Sequence, residues 1–191
     1  LYDATTSSFD KSESKTITNN LTLRWDIWKG FYLTGSFSYS LSDSQSDKFV
    51  SPDHSSFETE TDPSKRGSYF ISNMRGKSWQ ARIGLTYSKT LSDNGSILTL
   101  NVGANANKSN SNSNSFSGIG FLKGNLTDMA FANSYPTNGQ PSGSESLSSS
   151  VGVFGNLNII FLNRYFVDGS YRVSGSSKFG KDRRFAPFWS V

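Results

Sequence analysis

The 191-residue chain contains no cysteine, so disulfides, thiol chemistry and cysteine-based metal sites are excluded. Histidine occurs once, at His54, so a metal site or catalytic triad would depend on partners that only folding could assemble. Hydrophobic residues make up only 34% of the chain. Its apolar run Ile159-Ile160-Phe161-Leu162 falls far short of the roughly 20 residues a membrane-spanning helix needs. Aromatic residues, by contrast, reach 14%. Few apolar residues with many aromatics suit a sheet wetted on one face, as in a membrane barrel with a polar lumen.

The formal net charge is +4. Much of the basicity sits in Arg164, Arg172, Lys178, Lys181, Arg183 and Arg184. No stacking platform or groove-reading helix accompanies this cluster, so nucleic acid is not the expected partner. Anionic head groups, solvent or a wet lumen are.

What is present is alternation. From Lys15 to Trp28 the odd positions Ile17, Leu21, Leu23, Trp25 and Ile27 are apolar, against the polar Thr16, Thr18, Asn20, Thr22, Arg24 and Asp26, a period of two that predicts a one-sided strand. Lys29-Gly30 is a tight turn, and Phe31, Leu33, Phe37, Tyr39 and Leu41 form the apolar side of a return strand. The pattern repeats at Trp79, Ala81, Ile83, Leu85 and Tyr87, turns at Asp93-Asn94-Gly95, and resumes at Leu98, Leu100, Val102, Ala104 and Ala106. It returns from Leu147 to Phe161, turns at Leu162-Asn163-Arg164, and continues through Tyr165, Val167, Gly169, Tyr171 and Val173. A further strand begins near the C-terminal end.

Leu1 to Glu13, Asp43 to Lys77 and Asn107 to Ser146 read as loop, although Ser68 to Asn73 could extend a strand. The longest loop opens with the low-complexity tract KSNSNSNSFSG, which reads as a spacer. Apolar residues then return at Phe121, Leu122, Leu126, Met129, Phe131 and Tyr135, with a helical turn expected around Leu126 to Phe131. Short and long connections therefore alternate, as in outer-membrane barrels with tight periplasmic turns and long extracellular loops. On that topology the first strand runs downward.

Two patterns support the reading. Arg24, Asp26, Arg82, Asp168 and Arg172 all lie opposite their strands' apolar faces, which makes them candidate lumen-facing residues. On the lipid face a Lys or Arg would cost about 2–4 kcal/mol at mid-membrane. Trp25, Phe31, Tyr87, Phe161 and Tyr165 fall outward near short turns, and Tyr39 and Trp79 near long loops, as two interfacial girdles require. Phe154, Ile160 and Phe166 break the rule by facing the polar side.

Other motifs carry little. His54 lies among Asp53, Glu58, Glu60 and Asp62; a solvated loop is the expectation, and calcium at these carboxylates is the minor alternative, since no EF-hand spacing is present. Gly118, Gly120 and Gly124 miss the dinucleotide fingerprint by one residue. No catalytic constellation or cofactor motif appears, so an enzyme is not expected. The chain starts at Leu1 without a signal peptide and stops at Val191 in mid-strand, as expected of a piece of something longer.

The run from Asn163 to Val191 resembles a barrel segment of SusC/RagA-type TonB-linked outer-membrane transporters. Arg172, Gly175, Ser176, Ser177, Lys178, Phe179, Gly180, Arg184, Phe185, Phe188, Ser190 and Val191 fit that family's pattern, and Pro141 to Asn158 is also similar. Ser174 stands where the family usually has Asp. The resemblance implies import of large nutrients, oligosaccharides or peptides, with a SusD-like surface lipoprotein as partner. It also implies TonB acting through a part of the protein outside this chain. Phe121, Leu126, Phe131 and Tyr135 are the candidate contacts with the lipoprotein.

The expected fold is therefore all-β. Residues 1–191 would form an antiparallel up-and-down transmembrane β-barrel segment, six complete strands and part of a seventh. The whole would be a barrel of about 22 strands with a plugged lumen, whose plug and remaining strands lie elsewhere. The rival reading is a secreted, soluble β-sandwich adhesin or glycan-binding module, in which the apolar faces pack together.

Overall fold

The structure, a computed structural model, describes residues 3–92, 95–179 and 184–191, apart from the side chain of residue 4. Seven strands follow one another: β1 (Phe9–Trp28), β2 (Phe31–Val50), β3 (Ser68–Ser92), β4 (Ser96–Ile119), β5 (Ser142–Phe161), β6 (Tyr165–Ser176) and β7 (Phe185–Ser190). They form one sheet in chain order, with β1 and β7 as its edges. Among the described residues helical structure is confined to four short 3-10 turns. None is long and apolar enough to cross a membrane, which says nothing of crossing by strands.

The up-and-down order and the alternation of short and long connections agree with the sequence, but the strands are longer than expected. β1 begins at Phe9, within the stretch expected to be loop, and β2 runs on to Val50. β4 takes in the whole Ser/Asn tract, which is strand and not spacer. At about 3.3 Å per residue, the 25 residues of β3 span roughly 80 Å, well beyond the 9–11 residues of a barrel strand inside a bilayer.

The chain divides into two compact units. The first comprises Leu1–Ile17, Leu41–Gly76 and Ser111–Ser146. Much of its strand, as at residues 10–16 of β1, 111–115 of β4 and 142–146 of β5, is polar on both sides, so no one-sided period betrays it. Cross-strand polar pairs line them instead: Ser14 with Ser44 at 2.8 Å, Ser113 with Ser144 at 2.8 Å and Ser115 with Ser142 at 2.9 Å. Each such pair contributes only a few tenths to about 1 kcal/mol, so the ladder depends on having many.

The loops of this unit are ordered by local caps and one aromatic cluster. Asp62 accepts from the Ser64 amide at 3.0 Å and hydroxyl at 2.6 Å, and so starts the 3-10 turn Pro63–Lys65. Asp128 starts the turn Met129–Phe131 in the same way, which falls within the expected helical stretch. His54 caps Ser55–Phe57 through Nδ1, with its Nε2 3.8 Å from Asp3. Phe49 and Phe121, each 1% exposed, meet Phe9 and Tyr69 in a small core.

The second unit comprises Thr18–Ser40, Lys77–Asn110 and Leu147–Val191. Here the strands are one-sided. In the β5–β6 register Val153 faces Val173, Leu157 faces Gly169 and Ile159 faces Val167 on the apolar side, while Asn156 faces Ser170 and Asn158 faces Asp168 on the other. β7 continues the pattern, with Pro187 beside Val173 and Trp189 beside Tyr171. The Phe185 ring lies over its partner Gly175, whose missing side chain makes the room.

Short turns close these hairpins. Gly30 has φ +83°, and a side chain there would collide with the Ser88 carbonyl. Leu162 and Asn163 both adopt left-handed backbone, φ 54° and 51°, and the Arg164 amide donates to the Phe161 carbonyl at 3.1 Å. Two successive positive φ values at the centre of the turn give it the mirror-image form whose twist matches that of the strands. The expected Asp93-Asn94-Gly95 turn falls outside the described residues at its first two positions. So do Gly180, Lys181, Asp182 and Arg183 near the C-terminal end.

The apolar side of the second unit is uncovered. Leu21, Leu23 and Trp25 are 68, 60 and 60% exposed, and Val153, Tyr165 and Trp189 are exposed as well. A sandwich would lay a second sheet on this face, and the described strands belong to one sheet only. Near the short turns Phe31 stacks on Tyr87 with centroids 4.3 Å apart, and Phe161 pairs with Tyr165 across the β5–β6 turn.

Candidate functional site

The polar side of the second unit carries the five charged residues singled out in the sequence, and the structure sorts them into three groups. Arg24 and Asp26, two apart on β1, form an ion pair at 3.0 Å, and the Arg24 guanidinium lies 4.0 Å from the centre of the Tyr32 ring. Asp168 accepts a hydrogen bond from the Asn158 side chain of the neighbouring strand. Arg172 does not pair with Asp168, although the two share a face of β6.

Arg82 and Arg172 form the third group, at one cleft of about 310 Å³. Gln80, Asn105, Phe154, Asn156 and Ser170 supply most of the remaining lining. The Arg82 guanidinium sits 4.8 Å from the centre of the Phe154 ring, a cation–π contact. That ring in turn rests against Gly103, where a built Cβ would come within 2.6 Å of it. The aromatic that seemed out of place on the polar side is thus a platform, seated where β4 lacks a side chain. Arg172 donates through Nε to the Ser174 hydroxyl at 2.7 Å and through a terminal nitrogen to the Asn105 side-chain oxygen at 3.4 Å. Ser174, where the chain departs from the family pattern, thus offers Arg172 a neutral acceptor.

Within the first unit the loop candidates divide differently. Phe121 is buried, its ring edge-on to Phe49 at 5.1 Å, so it anchors the loop and offers no surface to a partner. Its amide donates to the Arg66 carbonyl at 2.8 Å, and the Gly120 amide to the Gly67 carbonyl at 3.1 Å. Phe131 and Tyr135 are 50 and 56% exposed, and Leu126 is half-buried. Leu122, next to Phe121 in the chain, is 83% exposed and adds a further exposed apolar side chain to the loop.

Similar architecture occurs in solved transporters. A structure of the RagAB peptide importer in its open-open state matches 96% of this chain with a TM-score of 0.81 at 19% identity. Its closed-closed state matches with a TM-score of 0.78, again at 19% identity and over 96% of this chain. The chain shares its fold, an antiparallel up-and-down sheet, with a stretch of each of these proteins. It spans only 19% of the open-open RagAB chain and 20% of the closed-closed one. The siderophore receptor PiuA from Acinetobacter baumannii shares the arrangement more loosely, with a TM-score of 0.52 at 12% identity, over 96% of this chain and 29% of the receptor. No family model matches the sequence, and no curated protein does. The resemblance read from Asn163 to Val191 thus meets its counterpart in the fold.

Sequence reasoning missed Gln80, Asn105, Asn156 and Ser170 as companions of the two arginines. Their parity was visible. Their convergence on one cleft depends on strand register, which no single strand's sequence contains.

Proposed function

We propose that this chain is a stretch of barrel wall from a TonB-linked outer-membrane importer of large nutrients. Its apolar side meets lipid, and its polar side, with Arg24, Asp26, Arg82, Asp168 and Arg172, lines the lumen. The single observation that carries this reading is the uncovered apolar face, repeated strand after strand in an up-and-down sheet. Water would penalise so much apolar surface at about 25 cal/mol per Å², whereas lipid does not. The open edges at β1 and β7 require further strands from other parts of the protein, and a plug would cover Ile160 and Phe166, partners on the polar side.

The long connections face the cell exterior. Their exposed Leu122, Phe131 and Tyr135 are the surface for a SusD-like lipoprotein. Peptides or oligosaccharides are the cargo, and TonB acts through a region outside this chain. Fractionation of the full-length parent tests the placement. It should travel with the outer membrane and dissolve only in detergent, and recovery as a folded, water-soluble protein would contradict the reading.

A further inference from the structure

Among the described residues, Arg82 and Arg172 lack the carboxylate partner that four other strand cations have. Lys15 pairs with Glu13 at 2.8 Å, Arg24 with Asp26 at 3.0 Å, Lys48 with Asp10 at 3.5 Å and Arg75 with Asp43 at 3.7 Å. Arg82 and Arg172 share one cleft, and no carboxylate is among its lining residues. Arg82 has an aromatic face as its neighbour, and Arg172 has a hydroxyl and an amide oxygen. Two guanidinium groups converging without a counter-charge repel one another, a cost that a bound anion removes.

The surroundings indicate which kind of anion. In the sheet Phe154 lies opposite Arg172 on one side and Phe188 opposite it on the other. With Arg82 over Phe154, the polar face presents a row in which cations and aromatic rings alternate. The guanidinium fork matches a planar carboxylate with two parallel hydrogen bonds, and Gln80 and Asn156 can serve the amides beside it. The rings accept the apolar part of the same molecule.

We propose that the Arg82–Arg172 cleft is a binding site for a carboxylate group. The group comes either from an acidic peptide passing the wall or from another segment of the same protein folded against it. The site's physiological role rests on the importer reading, but its chemistry is tested separately.

The test uses the detergent-solubilised full-length parent and two short peptides, identical except for Asp in one and Asn in the other. Titration calorimetry should find the Asp peptide about tenfold or more tighter, the scale of a lost charge-assisted pair. Arg82→Gln with Arg172→Gln should erase that preference, Arg82→Lys with Arg172→Lys should keep part of it, and Arg24→Gln, whose residue is already paired, should leave it intact. If the carboxylate comes from within the protein, the two peptides bind alike and the double Gln variant melts several degrees lower, while Arg24→Gln does not. Both results support the site and tell the sources apart. Equal binding with an unchanged or raised melting temperature overturns it, as does an Asp preference that survives the double variant. Failure of the parent to reach the outer membrane would instead count against the importer reading and leave this binding measurement valid.

Discussion

The ring of Phe121 meets that of Phe49 edge-on, 5.1 Å between centroids and 81° between planes, and each side chain is only 1% exposed. One residue belongs to the longest connection and the other to the end of β2, so their contact fastens the connection down. Phe121→Ala should cost about 3–5 kcal/mol of that fastening. Amide exchange at residues 119–121 should then speed up while the β6 amides keep their protection. Leu122→Ala, one residue on and 83% exposed, should change neither.

Because the Ser/Asn tract is strand, its register matters. Deleting Ser111 should move every later residue of β4 to the opposite face and break the Ser113–Ser144 and Ser115–Ser142 pairs. Limited proteolysis should then cut readily within residues 120–141, while Ser113→Thr, which keeps the hydroxyl, should remain protected. A tract serving only as a spacer would tolerate the deletion.

The Asp62 carboxyl is held below its ordinary 3.8, first by the Ser64 hydroxyl and then by the Ser64 amide. A depressed carboxylate stabilises the fold above its unfolded pKa, and the contribution is lost as pH falls through the folded value. The Pro63–Lys65 turn should therefore stay closed through mildly acidic conditions and loosen only below the usual carboxylate range. Exchange of the Ser64 amide followed against pH reads this, and Asp62→Asn should remove the transition.

The lipoprotein surface can be tested without disturbing the loop's anchor. Replacing Leu122, Phe131 and Tyr135 together by Ser should weaken capture of the SusD-like lipoprotein about tenfold or more, on the scale of hot-spot loss. Melting of the parent should hardly change, since all three side chains are half or more exposed. Undiminished capture would remove these side chains from the interface.

How much of this could be read from the sequence depended on what each strand faced. Where one side is apolar, as from Leu21 to Ile27 or from Val151 to Phe161, alternation revealed the strand, its face and its short turn. Where both sides are polar, as from Asn110 to Ser115, the same backbone pairing leaves no period in hydrophobicity, so strand looked like loop. Phe121 was misjudged for a related reason. An isolated apolar residue in a polar stretch looks available to a partner until the fold brings Phe9, Phe49 and Tyr69 beside it. The meeting of Arg82 with Arg172 was out of reach in the same way, because it depends on the alignment of strands far apart in the chain.

The central claim is that one side of the sheet meets lipid and the other water. Because the chain has no cysteine of its own, single cysteines can be placed at residues 98 to 103 of the full-length parent, cleared of any other cysteine, and spin-labelled in bilayers. Collision rates with oxygen, which concentrates in lipid, should be high at residues 98, 100 and 102. Collision rates with a water-soluble nickel chelate should be high at residues 99, 101 and 103. A strict two-residue alternation between the two relaxants is the predicted result; the same accessibility at all six positions, or alternation with the faces reversed, would contradict the account.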